Sequence, residues 1–259
     1  MKAVMASVLV AGVLAGCGGG SDSPSLPAAP VVPAITPGPD PLLAAQWHLF
    51  NTGQGGGLPG MDLGLQGVTQ TGRGVLLAFI DGAVQIGHPD LVGNLHVLNG
   101  FLTAPDPSPP PAPSGAPYND RAGEWDDAHG TAVVGIAVAS AGNSLGGRGV
   151  APQARFVAFD GLSKGQIAAS LRSATALGAD IVNNSWGTLD SGFGQGASYR
   201  PADPAWRQAL DEALAQGRQG KGTVVVFAAG NGGRADDSNR DGYANQPGVL
   251  AVAAVDARG

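Results

Sequence analysis

Val75-Leu76-Leu77-Ala78-Phe79-Ile80-Asp81-Gly82 is a run of six apolar residues closed by an acid and a glycine. A strand with one wet face alternates apolar and polar side chains, and this run does not. Both of its faces need cover, as in a parallel sheet packed between helices. Comparable strands are predicted at 155–159, 180–183, 223–228 and 249–255, with helical periodicity at 131–140, 166–177 and 205–215 between them. Strands alternating with helices give an α/β fold with a mostly parallel central sheet flanked by helices. The Pro-rich stretch 104–117 is expected to be a surface loop, and no internal repeat is present.

Composition agrees with a compact α/β domain. Hydrophobic residues make up 43% of the 259, charged residues 13%, and there are 43 glycines, which argues against a coiled coil. The net charge is −6, and an acidic surface repels a phosphate backbone, so nucleic acid is not expected as a partner. Cations and basic peptides suit it better.

Cys17 is the single cysteine, so no internal disulfide can form. It follows a lysine at position 2, an apolar run over 3–15 and the small pair Ala15-Gly16. That pattern describes a signal peptide. With the cysteine at the cut, it resembles a bacterial lipobox; the alternative is an ordinary signal peptide with a chance cysteine. The expected organisation is a signal peptide over 1–16, a lipidated Cys17 with a flexible Gly/Pro/Ser linker over 17–39, and one domain over 40–259. The expected location is the bacterial cell envelope, lipid-anchored. The resemblance to lipoboxes implies the outer membrane or the periplasmic face, with Gly18 after the cysteine mildly favouring the outer membrane.

Three features fall where a parallel sheet places chemistry, at the carboxyl ends of strands. Asp81 closes a buried strand, and such an acid is costly to ionise without a partner. His129-Gly130-Thr131 opens onto an Ala/Val-rich helix. Asn231 sits in Gly230-Asn231-Gly232-Gly233 after an apolar strand, where glycines let a ligand approach the backbone. Singly, each has a plainer reading: a turn acid, a structural histidine, an Asn-Gly turn. Together, in this order, with His88-Pro89-Asp90-Leu91 after Asp81 and Val150-Ala151-Pro152 after the histidine helix, they resemble the subtilase family of serine proteases (peptidase family S8) from Asp40 onward.

The resemblance implies a subtilisin-like three-layer fold and an Asp-His-Ser triad. His129 is then the general base, Asp81 fixes its imidazole, and Asn231 donates to the oxyanion. The family's nucleophile lies in a Gly-Thr-Ser motif beyond the asparagine, and no serine of these 259 residues has that setting. Either the chain is C-terminally incomplete or the protein is a catalytically inactive, peptide-binding lipoprotein.

Further segments resemble the kexin and furin branch: Asp40-Pro41-Leu42 with Gln46-Trp47-His48-Leu49, then Asn184-Ser185-Trp186-Gly187, then an acidic loop containing Asp237 and Asp241-Gly242-Tyr243. The branch implies substrate contacts at Ser185, Trp186, Gly187, Asp190, Asp241 and Asp126, with Asp190 and Asp241 receiving the basic residue before the cut. Gly82 stands where the family carries a second acid, which leaves a dibasic preference less secured than a single basic one. Structural calcium is implied at two places. Asp40, Asp90 and Asn143, with the carbonyls of Ser140, Leu145 and Gly147, form one set of hard oxygen ligands. Asp190 and Asp237 form the other. The expected partners are polypeptides with basic residues, and a membrane through Cys17; the oligomeric state stays open.

Overall fold

The computed structural model describes residues 38–98, 101–102, 125–162, 165–188, 198–231 and 237–259. The signal and linker segments, the Pro-rich stretch and Asp190 lie outside these, and the side chain of Asp126 is not described.

The apolar run forms β1, Leu76–Asp81. Its side chains divide between two cores. Leu77 and Phe79 join Leu91, Val134, Val138 and Phe156 on one face. Ala78 and Ile80 join Val157, Val182, Leu171, Trp206 and Phe227 on the other. This is why the run has no polar alternate positions. Burying each large side chain contributes about 1.5–3 kcal/mol.

The chain continues through a short antiparallel pair, β2 (Val97–Leu98) and β3 (Phe101–Leu102), and then helix α1, Trp125–Val138. Next come β4 (Arg155–Asp160), α2 (Ile167–Ala176), β5 (Ile181–Asn184), α3 (Pro204–Gly220), β6 (Val224–Ala228) and β7 (Val249–Val252). The main sheet has the order β4-β1-β5-β6-β7, and every pairing is parallel. The α1 core lies on one face and the α2/α3 core on the other, which gives three layers.

Several boundaries differ from those expected of the sequence. α1 begins at Trp125, six residues before the expected start, so His129 lies inside the helix and not at its first residue. Trp125-Asp126-Asp127-Ala128 carries no apolar periodicity, yet acids near a helix N-terminus are favoured by the helix dipole. The last strand stops at Val252, three residues short of the expected end, and Val255 is exposed.

α3 starts as its sequence dictates. Asp203 caps it by accepting from the Ala205 N–H at 2.6 Å, and Pro204 occupies the first turn. Regular helix ends at Gly217, after which Arg218 and Gln219 take positive φ of 51° and 61°. The Arg218 guanidinium bonds Asp180 at 3.0 Å, and the other Asp180 oxygen accepts the Leu76 N–H at 3.0 Å, which ties this turn to the foot of β1.

Candidate active site

β1 is an interior strand of the sheet, between β4 and β5. The chain then passes to β4 on one side and returns to β5 on the other. That reversal makes the carboxyl end of β1 a topological switch point, where α/β sheets leave a crevice. Asp81 is the last residue of β1 and is buried.

His129 reaches it from α1, with Nδ1 2.7 Å from Asp81 Oδ1. The same Asp81 oxygen accepts the Gly82 N–H at 2.8 Å. Two local contacts set the approach of the helix. A Cβ at Gly130 would lie 2.7 Å from the Ala83 carbonyl oxygen and 3.0 Å from that of Gly82, so only glycine lets α1 come this close. The Thr131 hydroxyl accepts the Gln85 N–H at 2.9 Å and holds the loop after β1 against the helix. The acid is withdrawn from water while the histidine side chain remains 54% exposed. A histidine held at Nδ1 by a carboxylate has a fixed tautomer and presents Nε2 for proton transfer.

Asn231 lies on the same edge of the sheet. Strand register puts Ala228 level with Asp81 across β5, and Asn231 follows three residues later, after Gly230 at φ 98°. Ser185, Trp186 and Gly187 leave the end of β5, next to β1. The Trp186 indole N–H donates to the Ile80 carbonyl at 2.8 Å, and its ring meets Phe227 and Tyr243 edge-on at 4.8 and 5.1 Å. The Ser185 hydroxyl accepts from the Asn183 amide at 3.0 Å.

Asp241 also converges on this segment. One of its oxygens accepts from the Thr188 N–H at 2.8 Å and from the Thr188 hydroxyl at 3.1 Å. Thr188 is not predicted as a site residue, since a lone threonine after a strand carries no signal of its own.

Asp40, Asp90 and Asn143 come together from three distant segments and are each buried. Asp40 accepts the backbone N–H groups of Gly142 at 2.8 Å and Asn143 at 3.1 Å, and the Asn143 amide donates to Asp90 at 2.6 Å. Burial pushes the Asp90 carboxyl above its ordinary range, and the nearby Asp40 adds to this; the Asn143 bond and His88 oppose it. Two buried acids that repel one another fit a divalent cation. Among the described residues no cluster of three or more His, Cys, Asp or Glu occurs, so amide and carbonyl oxygens would complete such a site. Ser140, Leu145 and Gly147 lie on the same loop: the Ser140 N–H donates to the Asp90 carbonyl at 2.9 Å and the Leu145 N–H to Asn143 Oδ1 at 3.0 Å. Gly147 is a glycine because a Cβ there would meet the Gln46 side-chain oxygen at 2.6 Å. Gln46 pairs reciprocally with the Arg148 backbone, which anchors the loop.

Asp237 is the described member of the second expected calcium pair, its partner Asp190 lying outside the described residues. It is exposed, and one oxygen caps the turn Ser238–Arg240 by accepting the N–H and amide of Asn239 at 2.9 and 2.8 Å. Those bonds, with the charge of Arg240, lower its carboxyl below the ordinary range.

A parallel sheet whose switch-point acid grips a histidine from the next helix defines a subtilisin-like α/β domain. The chain belongs to the subtilase family, whose model matches residues 72–259. Its relatives include neuroendocrine convertase 2 of Mus musculus, 34% identical over 221 residues, which cover 82% of this chain and 33% of the convertase. Furin-like protease 2 of Drosophila melanogaster is 34% identical over 225 residues, covering 84% of this chain and 12% of that protein. The chain thus spans about a third or less of the length of these relatives. Among solved structures it is similar to the serine protease of Aeromonas sobria in complex with its chaperone, with TM-score 0.55 and 28% identity over 75% of this chain and 32% of that one. A protease of Pseudoalteromonas arctica gives TM-score 0.56 and 27% identity over 85% and 66%.

Proposed function

We propose that this chain carries the acid–base machinery of a serine endopeptidase that cuts polypeptides after basic residues. The observation that carries the reading is the 2.7 Å pair of buried Asp81 and half-exposed His129 at the switch point of the sheet. Asp81 holds the proton on Nδ1. Nε2 then takes the proton of an attacking serine hydroxyl and returns it to the leaving amine. Asp81 stabilises the imidazolium formed between these steps. The Asn231 amide donates to the oxyanion, an interaction typically worth about 2.7–4 kcal/mol in the transition state. No serine of these 259 residues stands in the family's Gly-Thr-Ser setting, so the identity of the attacking serine stays open. Similarity to convertases supports the basic preference.

Calcium held by Asp40, Asp90 and Asn143 would supply structural charge neutralisation, with no part in the chemistry. The lipobox at Cys17 supports a lipid-anchored protein of the bacterial envelope.

The test is cleavage of a fluorogenic peptide by the full gene product, wild type against His129→Ala. Loss of cleavage in the variant supports the reading. Equal cleavage by both overturns it, and no cleavage by a folded, peptide-binding wild type favours the inactive binding module. Fatty-acid labelling of cells tests the anchor: the wild type should be tagged and Cys17→Ser should not.

A further inference from the structure

Between Asp40 and Arg73 the only Asp, Glu, Lys or Arg is Asp62. That acid is engaged within the arm itself, its two oxygens accepting the Asn51 N–H and the Gly64 N–H, each at 2.8 Å. The same stretch exposes Leu42, Phe50, Leu58, Met61, Leu63 and Val68. One exposed apolar side chain needs no explanation, but several together on an uncharged surface mark a place of contact.

Backbone bonds gather these residues. The Leu63 N–H donates to the His48 carbonyl at 3.0 Å and the Gly60 N–H to that of Asn51 at 2.8 Å, which folds the turn after Leu58 back beside Phe50. Phe50 and Val68 line one hollow with Leu65, Arg148 and Val150. The Val150 N–H bonds the Ile136 carbonyl at 3.0 Å and the Gly149 N–H that of Ala139 at 2.9 Å, so the hollow abuts the C-terminal end of α1. His129 lies towards the other end of that helix, about 10 Å from Ile136 along the axis.

The chain from Cys17 enters at this same end. The Gly38 N–H donates to the Gly142 carbonyl at 3.1 Å and the Leu42 N–H to that of Gly146 at 2.8 Å, both on the loop that follows α1. Residues 18–39 separate the cysteine from the domain, and a coil of that length spans on the order of 25 Å. A lipid on Cys17 therefore holds the bilayer within reach of the arm.

We propose that this uncharged arm is the face on which the domain rests on a zwitterionic lipid surface. Phe50, Leu58, Leu63 and Val68 enter the headgroup boundary, and His129 is held towards the far side. Apolar burial carries the contact. Arg148, in the same hollow, supplies a cation for a lipid phosphate, while the net charge of −6 disfavours an anionic surface. The orientation rests on the lipid-anchor reading; it does not depend on the endopeptidase reading.

The experiment uses the full gene product, lipidated and reconstituted in phosphatidylcholine vesicles. Cys17 is the single cysteine of these 259 residues, so once it is acylated Leu63→Cys offers a free thiol for a fluorophore. Ala215→Cys, exposed on α3, is the control, and Val68→Cys repeats the measurement should Leu63→Cys not fold. A quencher borne on the acyl chains should dim the label at position 63 and leave that at 215 unchanged. No dimming at 63, or equal dimming at both, overturns the surface and leaves the anchor standing. A label at 63 shielded from lipid and aqueous quenchers alike also overturns it, because protein then covers the arm, either a second copy or another part of the gene product. Should Cys17 prove unlipidated, the anchor reading fails by itself and the Cys17→Ser protein judges the surface. Its retention on the vesicles should fall about tenfold or more when Leu58, Leu63 and Val68 are all replaced by serine. Equal retention, or none in the parent, then sinks the proposal.

Discussion

His129 Nδ1 and Asp81 Oδ1 stand 2.7 Å apart, although 48 positions separate them and one side chain is 54% exposed while the other is 2% exposed. Asp81→Asn keeps the shape of this pair but presents an amide that stabilises the wrong tautomer or no cation. The expected outcome is a fall in kcat of about 10⁴-fold with KM little changed. Steady-state kinetics of the full gene product measures this, and a loss seen only in KM would count against the pairing.

Gly130 sets the distance between α1 and the loop after β1. Gly130→Ala places a methyl 2.7 Å from the Ala83 carbonyl oxygen and 3.0 Å from Val84 Cγ2. Backbone cannot swing aside as a side chain can, so the helix must lift. Overpacking of this kind costs about 1–3 kcal/mol. The variant should melt at a lower temperature and also lose kcat, because His129 moves with the helix. Unchanged kcat in a folded variant would separate the helix position from the chemistry.

The acids Asp40 and Asp90 predict opposite behaviour with and without calcium. A cation that binds only the folded domain adds about 2.7 kcal/mol at one hundred times its dissociation constant. Calcium should raise the melting temperature of the wild type and leave that of Asp90→Asn nearly unchanged. In chelator the order should reverse or close, because Asp90→Asn removes a buried charge repelled by Asp40. Equal calcium responses in the two proteins would remove the site.

The His48 ring nitrogen Nε2 is buried with no hydrogen-bond partner among the described residues, and burial lowers its pKa. The folded state then prefers neutral histidine, while the unfolded chain takes up a proton near pH 6.5. Stability is full above that value and falls as pH drops through it towards the lowered folded pKa. His88 is lowered by burial in the same direction, against the pull of Asp90. Denaturation midpoints measured from pH 7.5 to 5 should decline, and His48→Gln should flatten the decline. An identical slope in the variant would assign the effect elsewhere.

Much of the fold is legible in the chain's own pattern. The unbroken apolar run at β1 demands two covered faces, and its side chains do divide between two cores. The order of Asp81, His129 and Asn231 points to one edge of one sheet. The start of α1 is not legible, because its first turn has no apolar period and is favoured by the helix dipole instead. Asp190 and the side chain of Asp126 lie outside the described residues, so the roles expected of them rest on the resemblance alone.

The sequence by itself determined the class of sheet, the family and the chemical types at the site, since these depend on local pattern and on residues recurring in a fixed order. Tertiary structure alone decided what each acid does. Asp81, Asp90, Asp237 and Asp241 are the same residue type in loops or strand ends of similar composition. One holds a histidine, one sits buried against a second acid, one caps an exposed turn and one accepts from Thr188. The physical reason is that a carboxylate's role follows from burial and from which donors reach its few lone pairs, and those donors come from segments far away in the chain.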